Sequence, residues 1–180
     1  MKTLLLLRHA KSDWSDGSLN DKHRPLGPRG RYAAPMMGSY MKSQNYAPQL
    51  ILCSSARRTT ETLDLIKPFL RADAQLRYED ALYLAEPEQL LERLNWIDDE
   101  VASAMLIGHN PGMEQLAHLL ARAPKSAQEK LRNAQMAEKF PTAALAVLTF
   151  QAETWGELRP GKGALVDFMR PKDLDGVESD

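Results

Sequence analysis

Thr3-Leu4-Leu5-Leu6-Leu7-Arg8-His9-Ala10 is the stretch on which the fold turns. Four consecutive leucines, bounded by Lys2 and Arg8, have the length and uniform apolarity of a short strand buried on both faces. The Arg-His pair at its carboxyl end stands where open α/β sheets place their ligand sites. The same punctuation returns at Leu50-Ile51-Leu52-Cys53, followed by Ser54-Ser55-Ala56-Arg57-Arg58. It returns again at Ala104-Met105-Leu106-Ile107, followed by Gly108-His109-Asn110-Pro111-Gly112. Three such strands side by side would gather cations and imidazoles along one sheet edge, which is the make-up of an anion site holding a nucleophile.

Between these strands the apolar residues repeat at helical spacing, the alternation of an α/β sandwich. Ala33, Met36, Met37, Tyr40 and Met41 mark a helix in which Pro35 is a kink or the true start. Thr62, Leu65, Ile66, Phe69 and Leu70 form a second stripe, and Gln75 to Tyr78 reads as an edge strand. Glu86-Pro87 opens a helix with Leu90, Leu91, Leu94 and Ile97 inward; Met113, Leu116, Ala117 and Leu120 mark another. Ser126 to Glu138 is helical by propensity but polar, and Ala143 to Phe150 reads as a strand. Trp155-Gly156-Glu157 and the Gly161–Gly163 region point to a hairpin-like ending. The expected architecture is a three-layer α/β/α sandwich on a mostly parallel central sheet. Residues 1–172 are expected as one domain and residues 173–180 as a solvated acidic tail.

The bulk numbers narrow the partners. A net charge of −1 leaves no electrostatic footprint for nucleic acid or an anionic membrane, so cations at one mouth are a local concentration. The single cysteine, Cys53, excludes an internal disulfide or a thiolate metal site and reads as a buried strand residue. Arg8 ends the amino-terminal apolar run before any signal-peptide pattern forms, and no run approaches a membrane span, so a cytoplasmic enzyme is expected. His9, His23, His109 and His118 lack metal-ligand spacing, and no glycine-rich Lys-Ser/Thr loop is present; neither metal, cofactor nor nucleoside triphosphate is expected.

A phosphoryl-transfer site needs a nucleophile, cations for the equatorial oxygens and a proton for the leaving group. Guanidinium forks match two phosphate oxygens and keep their charge, so Arg8 and Arg58 are candidates for a clamp. Neutral imidazole forms a covalent phosphoramidate, a role open to His9, with His109 as a second donor to the same phosphate. Each has a plainer reading: a packed or surface histidine, a solvated Arg-Arg pair opening a helix. Their alignment at three strand ends favours the site.

Arg8-His9-Ala10 resembles the Arg-His-Gly/Ala signature of the histidine phosphatase (phosphoglycerate mutase-like) superfamily. Ser54 to Thr62 is similar to its second motif, a Ser followed four residues later by Arg and eight residues later by Thr, a spacing that selects Arg58 over Arg57. Gly108-His109-Asn110 resembles the third motif. Arg8-His9-Ala10-Lys11-Ser12-x-Trp14, Asp21-x-x-Arg24-Pro25-Leu26, Gly30 and Gly108-His109-Asn110-Pro111-Gly112 resemble the small SixA-type phosphohistidine phosphatase branch. The resemblance implies a phosphatase with His9 as nucleophile and Arg8, Arg58 and His109 completing the phosphate pocket. It places Arg24 on the phosphate or its substituent, with Ser12, Lys11 and Asn110 beside it. Larger members supply a general acid from a loop or insertion; Glu79 is the candidate here, with Asp80 and Tyr83 close by. Short loops imply an open mouth, suited to a phosphorylated protein or a bulky phosphoester and to hydrolysis rather than mutase chemistry. The alternative is a phosphate- or phosphoprotein-binding module with little turnover. The oligomeric state is left open.

Overall fold

The computed structural model describes residues 1–175. Six strands form one sheet: β1 (Lys2–Arg8), β2 (Leu50–Ser54), β3 (Gln75–Glu79), β4 (Ser103–Gly108), β5 (Leu145–Phe150) and β6 (Ala164–Met169). Their order is β3-β2-β4-β1-β5-β6. The first four are parallel, and β5 runs against both of its neighbours. Helices α1 (Pro28–Ser43), α2 (Arg57–Ile66), α3 (Pro87–Asn95), α4 (Gly112–Leu120), α5 (Ala127–Glu138) and α6 (Pro171–Asp175) complete the chain. The sandwich is three-layered and its sheet mostly parallel, as the alternating pattern implies.

The four leucines show why. Leu4 and Leu6 pack into the core under α3 and α4, while Leu5 and Leu7 pack into the opposite core under α1 and α2. All four are essentially inaccessible, so each side chain contributes roughly 2 kcal/mol of burial on one face or the other. Such a strand can occupy only the middle of a sheet covered on both sides. Cys53 lies in the second core, and burial pushes its thiol up to about 12.

Several elements differ from the apolar pattern, each for a physical reason. α1 begins at Pro28, the first helical position, where a missing N–H is no loss, and continues through Pro35. Met37 and Met41 are core residues there. In α2 the buried face is Arg58, Thr59, Thr62, Leu63 and Ile66 rather than the full apolar stripe. Polar residues are turned inward at its start, and Lys67–Phe69 tightens into a 3-10 turn at Pro68. The ending is wider than a hairpin: Trp155–Glu157 forms a 3-10 turn before β6 closes the sheet beside β5. Asp173, expected in the tail, lies in α6 and pairs with the buried Arg170; residues 176–180 lie outside the described residues. Among the described residues no helix is long and apolar enough to cross a membrane.

Gly30 lets α1 rest on the loop that follows the nucleophile candidate. A Cβ there would stand 2.2 Å from the Lys11 carbonyl oxygen, a backbone atom with no freedom to yield. Gly30→Ala is therefore expected to lower stability by about 2 kcal/mol in urea unfolding. Gly17→Ala, whose Cβ would meet nothing within 4 Å, is expected to stay within about 0.5 kcal/mol of the parent.

Candidate active site

The parallel register brings three strand ends level. Arg8 stands opposite Gly108, and Leu7 and Cys53 flank Ile107 from either side. His9 and His109 follow at once, their rings 5.3 Å apart. Backbone bonds hold them there: the His9 N–H donates to the Gly108 carbonyl at 3.1 Å, and the Ala143 N–H reaches the carbonyls of Arg8 and His9. Thr62 ties α2 to the same loop, its hydroxyl accepting from the Ala10 N–H at 3.0 Å and donating to the Arg58 carbonyl at 2.7 Å.

The imidazole tautomers follow from their partners. His9 Nδ1 lies 2.7 Å from the Ala10 carbonyl, which can only accept, so Nδ1 carries the proton and Nε2 keeps its lone pair. His109 Nε2 lies 2.7 Å from Ser54 Oγ, which already accepts from the Ala56 N–H. Ser54 is fully buried and its hydroxyl has no other acceptor among the described residues, so it donates to Nε2, leaving Nδ1–H of His109 buried with no partner among those residues. Burial pushes His9 down to about 3; the Ala10 carbonyl opposes this and the charges of Arg58, Arg8 and Arg24 add to it. Burial also brings His109 to about 3, with His9 and Arg58 contributing and Asp21 opposing. Both rings are neutral at pH 7.

Arginines surround them. Arg58 is 3% exposed, and its two terminal nitrogens donate to the backbone carbonyl of Asp21 at 2.6 Å and to the Asp21 carboxylate at 2.9 Å. Arg57 faces solvent and pairs with Glu61. Arg24 donates to Asp21 at 2.8 Å and to the Ser12 hydroxyl at 2.7 Å, and stacks 3.4 Å from the centroid of the exposed Trp14 ring. Arg8 donates to the Phe140 carbonyl at 3.0 Å. The Nε atoms of Arg8 and Arg58 are buried without a partner among the described residues. With His109 Nδ1–H, three unpaired buried donors thus belong to residues of this one cluster.

Asp21 and Tyr83 join the site although sequence reading gave them no role. The Asp21 carboxylate accepts from Arg24, Arg58 and the Tyr83 hydroxyl. Burial pushes this carboxyl up, but the bonds from Tyr83, Arg24 and Arg58 outweigh it and hold it well below the usual carboxylate range. The Tyr83 ring sets its edge against His109 at 5.3 Å between centroids. Ser54 shapes the strand-to-helix turn by accepting from the Ala56 N–H, and it also orients His109. Its motif position was the available signal.

The remaining candidates lie further out. Lys11 is exposed. Asn110 is used within its loop, donating to the Phe140 carbonyl and accepting from the Glu114 N–H. Glu79 ends β3 beside Ser54 in register, but both carboxylate oxygens accept from Arg93 of α3 at 2.7–3.1 Å. The expected proton donor is turned into that ion pair. His23 and His118 are exposed.

The buried neutral histidines make stability depend on acid. Their folded values lie near 3 and the unfolded value near 6.5, so below pH 6.5 the unfolded chain binds the extra protons. Stability present above pH 6.5 is lost progressively as pH falls toward 3. Urea unfolding at pH 7 and pH 4.5 should show a smaller acid loss for the His9→Gln/His109→Gln protein than for the parent. An equal loss would contradict the buried neutral state.

Comparison with known proteins places this geometry. Residues 4–136 match the model of the histidine phosphatase superfamily (branch 1). An uncharacterized protein of Mycobacterium tuberculosis is 37% identical over 166 residues, covering 92% of this chain and all of that protein. Among solved structures, the candidate phosphohistidine phosphatase SixA of Agrobacterium tumefaciens superposes with a TM-score of 0.76 at 31% identity, over 94% of this chain and 98% of that one. A protein histidine phosphatase SixA bound to tungstate shares the fold, with a TM-score of 0.75 at 21% identity over 96% and 99% of the two chains. The chain belongs to branch 1 of the histidine phosphatase superfamily, a phosphatase of the SixA type.

Proposed function

We propose that the protein hydrolyses phosphate from phosphohistidine on a phosphoprotein, or from a phosphoester, through a covalent phosphohistidine at His9. One observation carries this reading: a neutral His9 with Nε2 unprotonated sits 5.3 Å from His109, amid buried donors of Arg8, Arg58 and His109 that nothing among the described residues satisfies. An unpaired buried donor costs about 1–3 kcal/mol, and a tetrahedral dianion is the ligand that would answer all three.

In the first step the Nε2 lone pair attacks phosphorus. The N–P bond forms as the bond to the leaving nitrogen or oxygen breaks, and the electron pair leaves with that atom, which takes up a proton from solvent water. Arg58, Arg8 and the Nδ1–H of His109 stabilise the equatorial oxygens, while Arg24 reaches the phosphate or its substituent. In the second step water attacks the phosphorus of phospho-His9, Nε2 recovers its pair, and inorganic phosphate leaves. Glu79 has no part in this scheme, since Arg93 occupies both of its oxygens. A leaving imidazole needs less help from an acid than a leaving alkoxide, which favours phosphohistidine as the substrate over alkyl phosphates.

His9→Ala is expected to lower hydrolysis of p-nitrophenyl phosphate by at least about a thousandfold while the protein stays folded. Across a substrate panel, phosphohistidine-bearing proteins should exceed alkyl phosphates in kcat/KM. Binding of phosphate without turnover of any member would instead establish a binding module. Ser54→Ala should lower kcat about tenfold with little change in KM, because it frees the His109 tautomer without removing a phosphate contact.

A further inference from the structure

A cavity of about 260 Å³ opens beside the Lys11 loop, and its wall carries Lys11, Arg29, Lys139, Arg170 and Lys172 with no acidic residue among its lining. Five cations around one small cavity stand out in a chain whose net charge is −1. They come from separate segments: the loop after β1, the first turn of α1, the connection into β5, and β6 into α6. Like charges so placed repel one another, and a plain packing role would not collect them. Two are compensated in part, Arg170 by Asp173 and Glu138 and Lys172 by Glu138. No ion pair to Lys11, Arg29 or Lys139 occurs among the described residues.

Arg170 gives the wall a built element rather than a fringe of mobile lysines. Its side chain is 6% exposed, its Nε is fixed on Asp173 at 2.8 Å, and its Nη1 is buried with no hydrogen-bond acceptor among the described residues, Glu138 standing off at 3.6 Å. The cavity also shares backbone with the nucleophile. Lys11 follows His9 by two residues, and Pro141 and Thr142 in the wall lead into Ala143, whose N–H holds the Arg8 and His9 carbonyls.

We propose that this cavity is an anion subsite that takes a second oxyanion of the substrate, a carboxylate or phosphate, while the reacting phosphoryl group lies at His9. This rests on the phosphatase reading for the identity of its ligand, though not for the binding of an anion. The subsite makes the enzyme selective for acidic or multiply phosphorylated substrates over simple monophosphates. The attraction is between exposed charges and is screened within about 8 Å at physiological salt, so the selectivity should fade as salt is raised.

The test is Arg29→Gln/Lys139→Gln, two residues that contact no group of the catalytic cluster. Its kcat/KM for p-nitrophenyl phosphate should equal that of the parent. Two matched pairs then read the subsite: phosphohistidine peptides flanked by aspartates or by asparagines, and a sugar bisphosphate against its monophosphate. The parent should prefer the more acidic member of at least one pair by roughly tenfold, and the double variant should lose that preference. Preference confined to the peptides assigns the subsite to acidic proteins; preference confined to the sugars assigns it to small bisphosphates. Equal preference in parent and variant, or none in either, overturns the proposal. Calorimetric titration of pyrophosphate into His9→Ala, with and without the double change, decides the subsite even if no ester is hydrolysed. Affinity should fall about tenfold, and unchanged affinity overturns it.

Discussion

Two buried guanidinium groups, Arg24 and Arg58, are held close to His9, and this arrangement depends on the carboxylate of Asp21. A buried cation without a counter-charge is strongly destabilising, because the energy of its lost hydration is returned only through well-formed ion pairs and hydrogen bonds. Asp21 meets both arginines and the Tyr83 hydroxyl at once, and its backbone carbonyl takes a further bond from Arg58. Arg24 is thereby fixed against Ser12 and Trp14, and Tyr83 against His109. Two of the three arginines whose charge acts on His9 are thus kept in place by one acidic residue, in the 3-10 turn Asp21–His23, and the same field helps to keep both imidazoles neutral.

Neutral imidazoles of defined tautomer are the second requirement, and it is met through short-range partners. Ala10 offers His9 only an acceptor; Ser54 offers His109 a donor. In the proposed reaction these two bonds give the nucleophile its lone pair and the second histidine its proton toward phosphate. Both depend on the sheet edge, since Ser54, Gly108 and Arg8 end their strands at one level. Register errors of one residue would turn every leucine of β1 to the wrong core, so the fold that places the site is strongly specified.

The same physics decides what could be read from the residues alone. β1, β2 and β4 were legible because burial on both faces leaves unbroken apolar runs, and the Arg-His, Arg-Arg and His-Asn ends stood out against them. Less legible was the inward face of α2, where Arg58, Thr59 and Thr62 are buried for the site and break the apolar stripe. Asp21 stood beside Arg24 in a motif, but its ties to Arg58 and Tyr83 span 37 and 62 residues, and nothing local marked them. Glu79 showed the converse: its position in the chain suited a proton donor, but a residue 14 positions onward on α3 claims its carboxylate. Such pairings are set by tertiary packing, which periodicity and motif spacing do not encode.

The central claim is a covalent intermediate on His9, and trapping it is the most direct measurement. The enzyme is mixed with excess phosphohistidine-bearing protein or p-nitrophenyl phosphate, quenched in alkali within one turnover, and mapped by peptide mass spectrometry. A base-stable, acid-labile phosphate on the peptide containing His9 is the predicted result. Turnover at full rate with no phosphate on that peptide at any quench time would contradict the account.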